Sequence, residues 1–160
     1  MYKKEKKEVD KKLLAEDRAG GFKCINCGQW VNLADSIGTA HRNHCPFCFC
    51  SCHVDRDKSG DRRSDCFGKM KPIGLTFKNE GFDKYGKKRQ GELMFIHQCT
   101  NCGKISINRI AGDDDEKGIM RLFEESQKID PKIIGEIEKE GIVVLREKDR
   151  QALIKQLPSI

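Results

Sequence analysis

Long apolar runs are missing from this 160-residue chain, and no stretch approaches the length of a membrane span. A helical membrane protein and a membrane partner are therefore not expected. Aromatic residues make up only 7%, with Trp30 the single tryptophan, and the apolar fraction of 37% barely exceeds the charged fraction of 35%. A chain this polar is not expected to bury a large hydrophobic core, so something else has to organise its middle. The opening Met1-Tyr2-Lys3-Lys4-Glu5-Lys6-Lys7 is charged and lacks the apolar stretch of a secretory leader, so a cytoplasmic location is expected. Also missing are a phosphate-gripping glycine loop, a dinucleotide fingerprint and a His-Glu-x-x-His metallopeptidase motif. The balance leans away from an enzyme.

Cysteine, by contrast, is plentiful. Nine occur in the chain, and in a reducing compartment paired Cys-x-x-Cys units read as zinc ligands before they read as disulfides. The odd number leaves at least one thiol outside any complete set of intrachain disulfides.

The formal charge of +6 suggests a polyanionic partner. Zinc-bound cysteines are thiolates, however, so one four-cysteine site and one three-cysteine, one-histidine site would lower it to about +3. The remainder is uneven. Residues 1–23 hold 8 Lys/Arg against 5 Asp/Glu, residues 24–102 hold 12 against 8, and residues 103–160 hold 11 against 12. Only the first two segments carry a basic bias.

Three regions follow from composition. Residues 1–21 form a charged, solvated leader. Residues 22–115 carry every cysteine and histidine and short apolar pieces such as Leu93-Met94-Phe95-Ile96. Beyond the acidic turn Gly112-Asp113-Asp114-Asp115, residues 116–160 change to helical spacing, with Ile119, Leu122 and Phe123 on one stripe. Pro131 starts a second helix and Gly141 ends it, and Glu147 to Leu157 suggests a last one. The segment reads as a helical extension or cap. The fold class is a small metal-bound α+β protein: a zinc-ribbon-like core of short antiparallel strands with two zinc sites, then a short helical C-terminal segment.

Two units share a local form, Cys24-Ile25-Asn26-Cys27-Gly28 and Cys99-Thr100-Asn101-Cys102-Gly103. Glycine after the second cysteine permits the positive φ of a tight knuckle. Two such knuckles give four thiolates for tetrahedral zinc, so the preferred first site is Cys24, Cys27, Cys99 and Cys102. The preferred second site is Cys45, Cys48, His53 and Cys66, within the intervening insertion. His44, Cys50 and Cys52 remain candidates there. An alternative joins Cys24/Cys27 to Cys45/Cys48 and leaves Cys99/Cys102 to find ligands among Cys66, His53 and His97. The glycine after Cys27 and Cys102, absent after Cys48, favours the first arrangement. Loss of one ligand is expected to unfold the domain.

These residues also carry a likeness. Arg42-Asn43-His44-Cys45-Pro46, Ser51-Cys52-His53-Val54-Asp55, Gly60-Asp61-Arg62, Cys66-Phe67-Gly68-Lys69-Met70, Pro72, His97-Gln98-Cys99-Thr100-Asn101-Cys102-Gly103, Asn108-Arg109 and Ala111-Gly112-Asp113 recur in one order. Over about residues 22–115 the chain resembles the RNHCP-domain proteins, small bacterial and archaeal zinc-ribbon-like proteins. The resemblance implies the domain boundary and both metal clusters. That family commonly has Leu where this chain has Cys50, which argues against Cys50 as a general ligand. The resemblance adds little about activity.

Arg42, Arg62 and Arg109 suit either neutralisation of thiolate charge, with Asp55 and Asp61 orienting imidazoles, or contact with phosphate and base edges. The leading functional expectation is RNA binding, with a translation or ribosomal particle as partner. Its residues are Arg42, Arg62, Arg63, Lys87, Lys88, Arg89 and Arg109, most of them on predicted loops. Phe47, Phe49, Phe67, Phe77, Phe82 and Tyr85 are stacking candidates, though most belong more naturally to a core. The second expectation is a protein-interaction adaptor using residues 116–160. The third is catalysis, through an open zinc site or through a reactive Cys50 or Cys52.

Overall fold

A computed structural model describes residues 20–32, 44–56 and 63–157. The leader up to residue 19 and the candidates His41, Arg42, Asn43, Asp61 and Arg62 lie outside the described residues.

The described residues form two antiparallel sheets. A small hairpin pairs β1 (Gly21–Lys23) with β2 (Trp30–Asn32). A four-stranded sheet runs β3 (Ser51–Cys52), β4 (Lys69–Phe77), β5 (Leu93–Cys99) and β6 (Ile105–Arg109), each beside its neighbour in sequence. Pro72 sits inside β4, where a proline normally breaks a ladder. Here β3 covers only Lys69 and Met70, so at Pro72 the strand has β5 alone as partner, and the register shifts between Pro72 and Gly74.

The helices follow the acidic turn. Asp115 caps α1 (Glu116–Ser126) by accepting from the Gly118 backbone N–H at 3.0 Å. Asp130 caps α2 (Pro131–Lys139) in the same way through the Lys132 N–H, with Pro131 in the first turn. A 3₁₀ turn, Glu147–Asp149, leads into α3 (Arg150–Ile154).

Side chains alternate across a strand, and both faces of β5 are covered. Leu93 and Phe95 meet Leu75, Ile119, Leu122, Phe123, Leu145, Leu153 and Leu157 on one side. Ile96 meets Ile137 and Val144 on the other, with Ile105, Ile107, Ile133 and Ile134 packed around them. This corrects the expectation of a minor hydrophobic core. The apolar residues are few, but they are concentrated in β4, β5 and the helices, and full burial of each such side chain stabilises by about 1.5–3 kcal/mol. The fold is mixed α+β, and its C-terminal helices belong to the same core as the sheet.

Candidate metal centres

Three turns of this chain have one geometry. At the tip of the β1–β2 hairpin, Gly28 N–H donates to the Cys24 carbonyl at 3.0 Å and Cys24 N–H to the Gln29 carbonyl at 2.9 Å. Between β5 and β6, Gly103 N–H donates to the Cys99 carbonyl at 3.0 Å and Cys99 N–H to the Lys104 carbonyl at 2.9 Å. In the third, Phe49 N–H donates to the Cys45 carbonyl at 2.9 Å and Cys45 N–H to the Cys50 carbonyl at 3.0 Å. Gly28 and Gly103 have φ of 74° and 79°, and Phe49 takes φ of 62°.

That third knuckle overturns the preferred pairing in favour of the alternative one. Cys24, Cys27, Cys45 and Cys48 form one group and His53, Cys66, Cys99 and Cys102 the other, the donor atoms of each lying within 4.8 Å of one another. Neither Cys24/Cys27 with Cys99/Cys102, nor Cys45/Cys48 with His53/Cys66, is brought together. The absent glycine misled because a phenylalanine replaces it. Left-handed backbone costs a side-chain-bearing residue about 1–2 kcal/mol, which the burial of Phe49 offsets: its ring is 4% exposed and stacks on Phe95 at 4.7 Å.

Strand register explains the second group. Cys99 pairs with Met70, and Met70 pairs with Ser51 across the sheet. His53 and Cys66 flank that row on the β3–β4 connection and so sit at the end of the sheet where the β5–β6 knuckle turns. His53 N–H donates to the Gly68 carbonyl at 2.8 Å, and Phe67 N–H to the His53 carbonyl at 3.1 Å. Gly68 is required by proximity: a Cβ there would lie 2.6 Å from Cys99 Sγ and 2.7 Å from Asn101 Cβ.

The spacing suits a tetrahedral ion. Sulfur pairs stand 3.6 Å apart for Cys24–Cys48, 3.5 Å for Cys27–Cys45 and 3.6 Å for Cys66–Cys99, and His53 Nδ1 lies 3.4 Å from Cys102 Sγ. These are far beyond disulfide length and near the roughly 3.8 Å edge of a tetrahedron with zinc–sulfur bonds of about 2.3 Å. Each group supplies four protein donors, the number that closed structural zinc sites use.

The asparagine of each Cys-x-Asn-Cys-Gly unit completes the surroundings. Asn101 Nδ2 donates to Cys66 Sγ at 3.2 Å. Burial pushes the Cys66 thiol up, but hydrogen bonds from Asn101, the Gly68 backbone, His53 and Cys99 outweigh it and hold it at about 6. Burial likewise raises Cys48, while Asn26, the Cys50 backbone, Cys24 and Cys45 bring it down to about 7. Sequence reasoning passed over both asparagines, although their identical place in a repeated unit was the available signal. His53 Nε2 is buried with no hydrogen-bond partner, so the expected orienting bond from its N–H to the Asp55 carboxylate is not made.

Two other histidines hold the third knuckle rather than a metal. Both carboxylate oxygens of Asp114 face His44 Nε2, at 3.0 and 2.8 Å, and Asp114 also accepts from the Ala111 N–H at 2.7 Å. Fully buried His97 donates from Nε2 to the Phe49 carbonyl at 2.6 Å and accepts from Asn108 Nδ2 at 2.8 Å on Nδ1. Burial lowers its pKa to about 4, so the ring is neutral. Asp115 N–H adds a bond to the Pro46 carbonyl at 3.1 Å.

The remaining candidates are scattered. Cys50 is buried beside the first cluster without belonging to it, and burial together with the Cys48 sulfur pushes its thiol up to about 12. Cys52 Sγ points to the Phe67 carbonyl at 3.6 Å. Arg109 pairs with Glu92 through both Nε and a terminal nitrogen, each at 3.1 Å. Arg63 is exposed, and Lys87, Lys88 and Arg89 project from the β4–β5 loop. Phe49 and Phe77 belong to the core cluster and Phe67 is half-buried, whereas Phe47, Phe82 and Tyr85 are exposed at 57%, 68% and 82%.

The model of the RNHCP domain family matches residues 19–120. No curated protein and no solved structure matches the chain. Among the described residues, no helix is long and apolar enough to cross a membrane.

Proposed function

We propose that the chain, which belongs to the RNHCP domain family, is a two-zinc protein that binds single-stranded RNA and carries no catalytic centre. Thiolate and imidazole donors in closed sets of four suit structural zinc, which contributes directly to folding. The ions hold the knuckles in place, and the sheet they brace presents the binding surface.

One observation carries the RNA reading. The loop between β4 and β5 displays Phe82 and Tyr85 to solvent among Lys84, Lys87, Lys88 and Arg89, all exposed. Its shape is fixed by its own hydrogen bonds. Asp83 Oδ1 accepts from the Tyr85 and Lys87 N–H groups at 2.8 and 2.9 Å, Asp83 N–H donates to the Lys87 carbonyl at 2.8 Å, and Arg89 N–H donates to the Gly81 carbonyl at 2.9 Å. Lys84 Nζ stands 5.0 Å from the centre of the Tyr85 ring. An ordered loop that interleaves bare rings with cations matches the chemistry of unpaired bases and their phosphates. Neither ring is part of a hydrophobic core cluster.

The adaptor reading loses its motive. The Ile and Leu side chains of residues 116–160 that suggested a free helical face are engaged with β4, β5 and β6.

The test is binding of zinc-loaded protein to single-stranded oligonucleotides at several salt concentrations. Phe82→Ala with Tyr85→Ala should weaken binding by about 1–3 kcal/mol for each base stacked. Charge reversal of Lys87, Lys88 and Arg89 should flatten the salt dependence, with zinc content unchanged in both variants. A wild-type chain that binds no RNA at low salt would sink the reading.

A further inference from the structure

At the far end of β4 a cleft of about 570 Å³ opens between the β4–β5 loop and the segment running from Glu140 to Ala152. Basic residues line both walls: Lys88 and Arg89 on the loop, Lys148 in the 3₁₀ turn, and Lys78 at the end of the strand. Lys78 lies 3.9 Å from Glu80, but the side chains of Lys88, Arg89 and Lys148 make no hydrogen bond or ion pair among the described residues. Two acids share the lining, Glu140 and Asp149, and the Asp149 carboxylate is already engaged by the Arg146 N–H at 2.9 Å. The apolar part of the lining includes half-buried Phe77 and 66%-exposed Val143.

Three unpaired cations around a partly apolar recess raise one another's electrostatic energy, and an anion seated among them relieves it. Arg89 offers a planar fork for two phosphate oxygens, while the apolar surface suits the face of a base or sugar. The volume falls within the range of ordinary small-ligand sites.

We propose that this cleft is a nucleoside-phosphate subsite, taking one unstacked nucleotide of the RNA that the β4–β5 loop binds. Its source rests on the RNA reading above, whereas its chemistry does not. Its second wall lies beyond residue 120, where the family match ends. The subsite is thus built jointly by the family domain and this chain's C-terminal segment.

The experiment compares Lys148→Glu with Lys155→Glu in the full zinc-loaded chain. Both lysines are exposed, but only Lys148 lines the cleft. Each protein is titrated with a single-stranded oligonucleotide, with uridine and adenosine 5′-monophosphates, and with inorganic phosphate. Lys148→Glu is expected to weaken the oligonucleotide about fivefold or more and to reduce the salt slope by about one, as loss of one phosphate contact does. Lys155→Glu should change affinity less than about twofold. Mononucleotide binding lost selectively in Lys148→Glu supports the subsite even if the wild-type chain binds no oligonucleotide, in which case the RNA reading fails and a free nucleotide is the ligand. Equal behaviour of the two variants toward every ligand overturns the subsite and leaves RNA binding by the loop standing.

Discussion

Phe49 stacks its ring on Phe95 at 4.7 Å while its own backbone sits at φ of 62°, the position that glycine holds in the two sister knuckles. One residue therefore serves the metal turn with its backbone and the core with its side chain. His97, two residues after Phe95 on β5, fixes the Phe49 carbonyl as well.

The usual order of alanine over glycine should invert at this site. Phe49→Ala loses the buried ring and keeps the strained backbone, a loss of about 3–5 kcal/mol. Phe49→Gly loses the same ring but releases the strain, so it should be about 1 kcal/mol more stable than the alanine variant. Denaturant unfolding of the two zinc-loaded proteins measures the difference directly.

Gly68→Ala should remove one metal ion and spare the other. The added Cβ would press on Cys99 Sγ at 2.6 Å, so zinc per chain is expected to fall from two to about one. Gly28→Ala offers a contrast, since only Lys23 Cε lies near its Cβ, at 3.7 Å. There the penalty is confined to backbone conformation, about 1 kcal/mol, with both ions retained. Metal analysis of the purified variants separates the two cases.

Loss of a ligand from the first cluster should be local, rather than unfolding the whole domain as the sequence alone suggests. The β1–β2 hairpin shares no strand pairing with the larger sheet, and its own buried cluster holds Val31, Cys24 and Cys45, with Phe22 and Cys48 beside them. Cys27→Ser is therefore expected to abolish amide-exchange protection in residues 20–32 while β4 and β5 stay protected. Global unfolding of this variant would mean that the larger core depends on the first ion.

Truncation after Asp115 should fail to give a folded domain. It would strip Ile119, Leu122, Phe123, Leu145, Leu153 and Leu157 from Leu75 and Phe95, and Ile137 and Val144 from Ile96. Several large side chains would be bared at about 1.5–3 kcal/mol each, more than a typical stability margin. An expressed fragment 1–115 is predicted to aggregate or to show no cooperative melt.

Much of this was legible in the sequence. The Cys-x-x-Cys spacing singled out six of the eight side chains that form the two groups, with His53 and Cys66 chosen from the cysteines and histidines between them, and the helices at Glu116 and Pro131 begin after the acidic turn and at the proline as expected. The correct partnership was legible only as the alternative arrangement, because the choice depends on strand register: Ser51, Met70 and Cys99 lie in one row only once β3, β4 and β5 are paired. The glycine rule also failed for a physical reason, since distant Phe95 makes a left-handed phenylalanine tolerable. Nor did spacing reveal that Phe82 and Tyr85 stay outside the core, because aromatic residues in an uncovered loop and in a strand look alike in composition.

Cys27 and Cys102, the second cysteines of the two matching units, are the exposed members of their clusters, whereas Cys24, Cys45 and Cys99 are buried. Cys48 and Cys66 are half-buried, so Cys27 and Cys102 are each the most open donor of their group. A competing thiol or chelator meets that sulfur first, and exchange of the metal can start there by substitution of a single donor while the other three stay in place. The lifetime of a bound ion is then expected to follow traffic at that exposed cysteine, separately from the unfolding rate of the chain.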